Sequence, residues 1–430
     1  MIIAFGILIL TLIIGVPVSF AFLATTVYII FSLGYDTSFL IPFGFSQMNN
    51  FLLLALPLFI MIGGIMDKGR IADKLIEFAE LFVQKIKASL GIVVIFSCAI
   101  FGSISGSSVA ALMAIGQIMS PKLKESGYPR GYSAALLSSA SVLGMLIPPS
   151  TIMILFAWAG NQSVLASFLS TVIPGVILII LLSIINVVLM RKENIKKPND
   201  INSTETMPVK FRKRTIAASP GLALPIIVLG SIYGGFMTPT EAAAVAVLYA
   251  IPVGFWVYKG LTKDNFLTVM KETAITTGVI MLMIYGTSLL SRMMVMEDIP
   301  NRLTDILLSV SENKFIILLM INLFLILMAM LIDDISGVLL LTPILLPVAV
   351  NIGVDPVHFA AILAVNLGMG NITPPTAPLL YFGSQVGKVP ITEMIKPTII
   401  MIIFAWLPTL MITTYLPELS LFLPKLILGY

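Results

Sequence analysis

Long apolar stretches, separated by short polar segments, recur along almost the whole chain. A helix needs about 20 apolar residues to cross the ~30 Å hydrocarbon layer of a bilayer, and these stretches reach or approach that length. The pattern therefore predicts membrane spans at residues 2–34, 51–67, 131–158, 164–190, 215–235, 238–258, 274–296, 356–386 and 394–424.

Two further apolar stretches, residues 90–120 and 315–350, are interrupted near their middle by glycine, serine or aspartate. Inside a bilayer, non-helical backbone is tolerated only where it is buried in protein or lines a cavity. We therefore expect each stretch to form a re-entrant helical hairpin whose tip lies at membrane depth.

The two halves of the chain resemble each other. Ile104-Ser105-Gly106 recurs as Ile335-Ser336-Gly337, and the segment 143–150 recurs as 367–376, each with a proline pair. One extra span lies between the copies, so the second copy enters the membrane from the opposite face. Inverted repeats in transporters place the binding site near the midplane, between the halves.

We therefore predict an all-α polytopic membrane protein with an inverted repeat, two re-entrant hairpins and broken helices. Its expected parts are a first repeat at 1–190, a basic cytoplasmic linker at 191–214, a connecting span at 215–235 and a second repeat at 236–430.

Basic residues predict the orientation. They crowd the linker at Arg191, Lys192, Lys196, Lys197, Lys210, Arg212, Lys213 and Arg214, whereas residues 35–50 and 159–163 contain no Lys or Arg. Because cytoplasmic loops carry the excess of Lys and Arg, we expect a multi-pass inner-membrane protein with a cytoplasmic N-terminus. Residues 70–88 alternate charged and apolar positions at helical spacing, which predicts a helix along the membrane interface, with 301–313 as its counterpart.

Composition excludes several other classes of function. One cysteine, Cys98, and one histidine, His358, cannot form a disulfide or a Cys/His metal cluster. The net charge of +4 lies mostly in loops, and no basic stretch is interleaved with base-stacking aromatics, so we expect no nucleic-acid partner and no organic cofactor.

The proline pairs indicate where an ion would bind. Proline has no N–H to donate, so Pro148-Pro149 frees the carbonyls of Gly144 and Met145, and Pro374-Pro375 frees those of Gly370 and Asn371. An unsatisfied carbonyl in hydrocarbon costs several kcal/mol, and a hard cation such as Na⁺ offsets that cost by coordinating oxygen. The alternative is that the prolines only kink their spans and the nearby glycines and serines only permit close helix packing.

Three charged residues lie in apolar surroundings. Asp333 and Asp334 are candidates for ion ligands, because a carboxylate at membrane depth is costly; as an alternative, they cap a helix at a wet surface. Arg292 is a candidate for holding a carboxylate through two parallel hydrogen bonds, or it snorkels to the interface beside Glu297 or Asp298. Thr238-Pro239-Thr240-Glu241 has capping-box spacing, which gives Glu241 a structural role.

Four motifs together resemble the large membrane subunit of TRAP (tripartite ATP-independent periplasmic) transporters. They are the runs at 101–108 (FGSISGSS), 146–150 (LIPPS), 235–243 (GFMTPTEAA) and 370–376 (GNITPPT), and the resemblance covers essentially the whole chain. It implies a Na⁺-driven, elevator-type importer of the ion-transporter superfamily. It also implies two partners: a small four-span membrane subunit, expected as a separate chain, and a periplasmic solute-binding protein that delivers organic acids.

The resemblance and the residue chemistry together give two sets of candidate site residues. The expected sodium-binding residues are Ser103, Ser105, Gly106, Gly144, Met145, Asp333, Asp334, Gly337, Gly368, Gly370 and Thr373. The expected substrate-binding residues are Arg292, Ser107, Ser150, Asn371 and Thr376. Na⁺ is the only metal expected, as the coupling ion.

The expected function is import of a small organic acid, with sialic acid (N-acetylneuraminate) preferred and a C4-dicarboxylate next. One alternative is a divalent-anion symporter that works without a binding protein. A passive channel lined by freed carbonyls is another. An intramembrane enzyme is disfavoured, because Ser103 and Ser105 lie in no GxSxG motif and the one histidine belongs to the opposite half.

Overall fold

A computed structural model describes residues 2–83, 88–193, 195 and 207–430, and the regular structure in these ranges is helical throughout. The predicted all-α class is confirmed. Most of the predicted linker, including Lys196 and Lys197, and the end of the predicted interfacial helix, with Lys85 and Lys87, lie outside the described residues.

The first half contains eleven α-helices among the described residues. They are α1 (Ile2–Ile13), α2 (Val18–Leu33), α3 (Leu40–Met48), α4 (Ala55–Lys68), α5 (Ile71–Val83), α6 (Ser89–Ser105), α7 (Ser108–Glu125), α8 (Arg130–Ser141), α9 (Leu143–Leu146), α10 (Thr151–Ala159) and α11 (Val164–Met190). Of these, α6 and α7 form the first hairpin.

The described part of the second half also contains eleven α-helices. They are α12 (Met207–Tyr233), α13 (Pro239–Pro252), α14 (Lys263–Met296), α15 (Ile299–Val310), α16 (Lys314–Leu331), α17 (Asp334–Asn351), α18 (Pro356–Gly370), α19 (Pro378–Gly387), α20 (Ile391–Met401), α21 (Leu407–Tyr415) and α22 (Pro417–Leu428). Of these, α16 and α17 form the second hairpin. Short π-helical segments, Val253–Val257 and Ile402–Trp406, extend α13 and join α20 to α21.

Within the described ranges, eight helices are long and apolar enough to cross a bilayer. A ninth candidate consists of Arg130–Leu146 followed by Thr151–Ala159, bent by 47° at the first proline pair. Many large apolar side chains on these helices are exposed, such as Ile184, Ile226 and Trp256. Apolar surface turned outward on long helices is what a lipid environment requires.

Each half contains a hairpin followed by a broken span. In the first half α6 and α7 turn at Gly106, which has φ +63°, and α8 to α10 are broken at 147–150. In the second half α16 and α17 turn at 332–333, and α18 and α19 are broken at 371–377. The peptide bond between the two prolines of each pair, Pro148-Pro149 and Pro374-Pro375, is cis.

The two broken spans run antiparallel against each other. Near the start of the first, Ala134 lies against Gly387, at the end of the second. Further along, the Ser138 hydroxyl donates to the carbonyl of Leu379 (3.1 Å). At the far end the rings of Phe156 and Phe359 lie 6.5 Å apart. Along the contact, residue numbers increase in the first span and decrease in the second, as an inverted repeat requires.

Several predicted boundaries are wrong. The stretch 2–34 forms two helices, because Gly15 (φ +87°) and Pro17 interrupt it, and the stretch 394–424 is divided at Leu416, before Pro417. The predicted loop 35–50 contains α3, and the predicted span 274–296 begins earlier, at Lys263. The end of the predicted linker belongs to α12. Lys and Arg are good helix formers, so a helix continues past its apolar stretch into water.

Candidate functional site

The tip of the first hairpin lies against the first proline break. A Cβ added to Gly106 would come within 2.9 Å of the Pro149 carbonyl oxygen, so only glycine fits this approach. The backbone N–H and the hydroxyl of Thr151 both donate to the Gly106 carbonyl, at 3.2 and 2.8 Å. Hairpin tip and break are thereby held together as one unit.

The two hairpin tips, one from each half, meet directly. The hydroxyl of Ser108, the first residue of α7, donates to a carboxylate oxygen of Asp334, the first residue of α17, at 3.0 Å. Asp333 caps α17, accepting hydrogen bonds from the backbone N–H of Ile335 (3.2 Å) and Ser336 (3.4 Å) and from the Ser336 hydroxyl. The capping interpretation thus describes Asp333, whereas Asp334 joins the halves.

The second break packs closely against the second hairpin. A Cβ on Gly370 would lie 2.3 Å from that of Ala329 in α16, and a Cβ on Gly337 would meet the Leu367 side chain at 2.6 Å. The Thr376 hydroxyl donates to the carbonyl of Met330. The two halves therefore use the same construction, a hairpin seated on a non-helical segment.

Three buried polar atoms at these junctions have no hydrogen-bond partner among the described residues. They are the hydroxyls of Ser105 and Ser150 and the amide oxygen of Asn371. Buried polar groups in proteins are nearly always paired, so these three oxygens are available to accept an ion or a water. These oxygen donors, together with the nearby carboxylates, fit a hard cation such as Na⁺.

A cavity of about 570 Å³ opens beside the two tips. Its wall combines Ser105, Ser107, Asp333 and Asp334 with residues of α4, α7, α10, α14 and α19. The volume falls in the usual range for small-molecule sites. Of the described residues that line it, the charged ones are Glu272, Asp333 and Asp334, so this tip cavity is acidic.

The structure divides the predicted site residues into groups. Ser105, Ser107, Asp333 and Asp334 line the tip cavity, and Gly106, Gly144, Ser150, Gly337 and Gly370 lie in the adjoining contacts. Met145 is buried beside the first break. Ser103 donates to the Ile100 carbonyl (2.7 Å) within α6, and Thr373 donates to the Met369 carbonyl (2.6 Å). Gly368 contacts Val142 and the Trp406 ring, where the broken spans cross.

Arg292 does not line the tip cavity. It belongs to a separate cavity of about 210 Å³ between α3, α14, the end of α10 and α17, with its guanidinium 5.7 Å from the centre of the Phe43 ring. Glu297, its suggested partner, accepts instead from the Tyr35 hydroxyl (2.6 Å). The structure therefore does not bring Arg292 together with the residues of the hairpin tips.

Sequence reasoning missed the contribution of α14. Glu272, Thr273 and Thr276 line the tip cavity, but the predicted span began at residue 274 and left Glu272 outside the membrane. The threonines at positions 273 and 276, about one helical turn apart at the start of the apolar part of α14, were the available signal. The predicted capping box is confirmed: Thr238 and Glu241 exchange both of its hydrogen bonds.

Helices that span a bilayer, broken at paired positions in two antiparallel halves around an intramembrane cavity, define a polytopic membrane transporter. Residues 5–419 match the family model described as "Tripartite ATP-independent periplasmic transporter, DctM component". The chain belongs to this family, so the predicted resemblance is confirmed. It is a large permease component of a tripartite transporter, a class of protein that is not an enzyme.

Similar proteins differ in the substrate that their names give. The sialic acid TRAP transporter large permease protein SiaM of Vibrio cholerae is 32% identical over 421 residues, which cover 97% of this chain and 96% of that protein. The C4-dicarboxylate TRAP transporter large permease protein DctM of Pseudomonas aeruginosa is 33% identical over 383 residues, covering 89% and 88%. The comparisons therefore establish the family and leave the acid open.

Among solved structures, the fold is similar to that of the YdaH transporter of Alcanivorax borkumensis, whose crystal structure was described as having an unusual topology. The TM-score is 0.63 at 14% sequence identity, with 88% of this chain and 89% of that chain covered. At this identity the likeness supports the fold alone.

Proposed function

We propose that this chain carries a small organic acid into the cell together with Na⁺, by an elevator movement of the hairpins and broken spans past α4 and α14. In this proposal Na⁺ binds between the hairpin tips and the proline breaks. The acid is delivered by a periplasmic binding protein, and a small membrane subunit completes the complex. The protein lies in the bacterial inner membrane with its N-terminus in the cytoplasm.

One observation carries the proposal: hairpin tips from two antiparallel halves meet through Ser108 and Asp334 beside a cavity whose charged side chains are all acidic among the described residues. Such a cavity repels an organic acid until cations neutralise it. Bound Na⁺ reduces that repulsion and provides positive charge for a carboxylate. Each ligand therefore raises the affinity for the other, and the same coupling free energy acts in both directions.

Sialic acid is the preferred substrate and a C4-dicarboxylate the second candidate. The likeness to SiaM extends over 97% of this chain at 32% identity, while the likeness to DctM extends over 89% at 33%. Another C4-dicarboxylate permease protein DctM is 31% identical over 99% of this chain, so coverage does not separate the two acids, and the cavity volume admits either.

The test is uptake into proteoliposomes that contain the chain with its small subunit, supplied with candidate binding proteins loaded with N-acetylneuraminate or succinate. We expect accumulation against the acid's gradient when Na⁺ is high outside, and none when K⁺ replaces Na⁺. Equal uptake under both gradients would refute Na⁺ coupling, and equilibration without accumulation would favour a channel.

Substitutions at the hairpin tips locate the coupling site. Asp334→Asn and Asp333→Asn should each raise the Na⁺ concentration for half-maximal uptake, by about tenfold if each carboxylate contributes ~1.4 kcal/mol. Asp305→Asn, which alters an exposed carboxylate of α15, is the matched control and should leave the Na⁺ dependence unchanged. Wild-type Na⁺ dependence in both tip variants would show that the ion binds elsewhere.

A further inference from the structure

A second polar cavity, of about 520 Å³, lies at the far end of α7, and nothing in the proposed mechanism uses it. Three cations from three separate segments line it: Lys124 near the end of α7, Arg130 at the start of α8, and Lys388 just after α19. Gln117, Ser120 and Ser133 add polar groups to its wall. We call this cavity the basic pocket.

The three cations are available to a ligand. Within the described part of the chain, none of them forms a salt bridge or a side-chain hydrogen bond, and all three side chains are exposed. The neighbouring Lys122, by contrast, pairs with Glu80 of α5 at 2.8 Å. Two acidic residues lie nearby without lining the pocket: Glu125, which follows Lys124 in the sequence, and Glu393, whose backbone and Cβ lie against Gly131. Positive charge therefore predominates around the basic pocket.

The basic pocket and the tip cavity lie on one face of α7. Val109, Ala110 and Met113 line the tip cavity, while Gln117, Ser120 and Lys124 line the basic pocket. These positions recur every three or four residues, the spacing of a single helix face, and Met113 and Gln117 are about 6 Å apart along the axis. On α19, Phe382 lines the tip cavity and Val386, one turn later, lines the basic pocket. The two helices therefore form a common wall for both cavities.

The pocket lies at the level of the membrane surface. The salt bridge from Lys122 to Glu80 ties this end of α7 to α5, whose alternating charged and apolar residues are typical of an interfacial helix. In the orientation predicted by the basic residues, this surface is cytoplasmic. A small anion that leaves the tip cavity along α7 and α19 would reach Lys124, Arg130 and Lys388 before the cytoplasm.

We infer that the basic pocket is a second binding site for the transported acid, a carboxylate site at the cytoplasmic end of its release path. This inference rests on the proposed function. Once Na⁺ departs, the acidic tip cavity repels the carboxylate, and the three cations attract it outward. A charged path of this kind raises the local concentration of its ligand and speeds its passage. The same site would let acid already in the cytoplasm rebind and slow further import.

The test uses a cysteine placed inside the pocket. The one natural cysteine, Cys98, is buried, so Gln117→Cys in a Cys98→Ser background presents a single exposed thiol. Its reaction rates with an anionic and a cationic thiosulfonate are measured on the purified complex, with and without N-acetylneuraminate or succinate. We expect the anionic reagent to react faster, and the transported acid to slow its reaction several-fold.

Removal of the three cations should abolish both effects. In the Lys124→Gln/Arg130→Gln/Lys388→Gln variant, the ratio of the anionic to the cationic reagent's rate should fall about tenfold, because three nearby charges, partly screened by salt, are removed. The acid should no longer slow labelling of the cysteine. Lys263→Gln, which removes an exposed cation outside the pocket, is the control and should behave like the parent. Elution on size exclusion checks that each variant is folded.

The two proposals fail in different ways. If the parent protein takes up no acid under a Na⁺ gradient, the proposed function is wrong. If it takes up acid but the acid does not slow labelling of Gln117→Cys, or protects equally after the cations are removed, the release site is wrong and Na⁺-coupled import stands.

Discussion

Close approach of backbones at the first hairpin depends on single glycines. A Cβ added to Gly102 of α6 would lie 2.2 Å from the α-carbon of Gly144, so the hairpin and the broken span touch through backbone atoms alone. A backbone contact cannot yield as a flexible side chain does. This pair of glycines therefore sets the distance between the hairpin and the break that is proposed to hold the ion.

We expect Gly102→Ala to destabilise the protein by about 1–3 kcal/mol, the usual cost of forcing an extra methyl group into a packed interior. The measurement is thermal unfolding of the purified protein in detergent. Gly278→Ala on α14 is the matched control, because nothing lies within 4 Å of the added Cβ and alanine favours the helix by up to ~1 kcal/mol. An unchanged unfolding temperature for Gly102→Ala would contradict the close approach.

At the scale of helices, the hairpins and broken spans are expected to move as one body past α4 and α14. Gly63 of α4 lies at the boundary of that body, since a Cβ there would be 3.1 Å from the Ser105 Cβ at the hairpin tip. Ser138 and Gly383 lie within the body, where the two broken spans pack together.

Disulfides at these two places test whether the hairpins and broken spans move past α4 and α14 during transport. In a Cys98→Ser background, oxidation of Gly63→Cys/Ser105→Cys should arrest the uptake that its own reduced form shows, because the bond joins the moving part to the stationary part. Oxidation of Ser138→Cys/Gly383→Cys should leave uptake at the level of its own reduced form. Continued transport by the oxidised first pair would rule out movement at this boundary.

The breaks and the first hairpin turn could be predicted from the sequence, because single residues determine the backbone conformation there. Proline lacks an N–H and glycine permits a tight turn, so both breaks and the Gly106 turn could be predicted from residue type. The division of 2–34 was missed although Gly15 and Pro17 carry the same signal. Contacts between halves, such as that from Ser108 to Asp334, depend on tertiary packing and leave no local pattern.

At the scale of the whole molecule, charge separates the cavities. The tip cavity is lined by carboxylates, the basic pocket by cations, and Arg292 lies in a third cavity beside Phe43. Sequence reasoning placed Arg292 with the substrate residues because a lone cation in an apolar span suits a carboxylate, but the position along a helix does not reveal which cavity its side chain faces. Glu272 was not predicted as a site residue, because α14 begins before the apolar stretch from which its span was predicted.

In the proposed mechanism Na⁺ binds where the two halves meet. Equilibrium binding of radioactive sodium to the purified chain tests this without requiring transport. We expect saturable binding by the wild type and a half-saturating concentration about tenfold higher for Asp334→Asn, equivalent to ~1.4 kcal/mol. Asp36→Asn, outside the hairpin tips, is the control. The Ser38 hydroxyl and N–H donate to Asp36 and lower its pKa, so the carboxylate is charged and the substitution removes a full negative charge. Wild-type affinity in Asp334→Asn, or no saturable binding at all, would contradict Na⁺ binding between the hairpin tips.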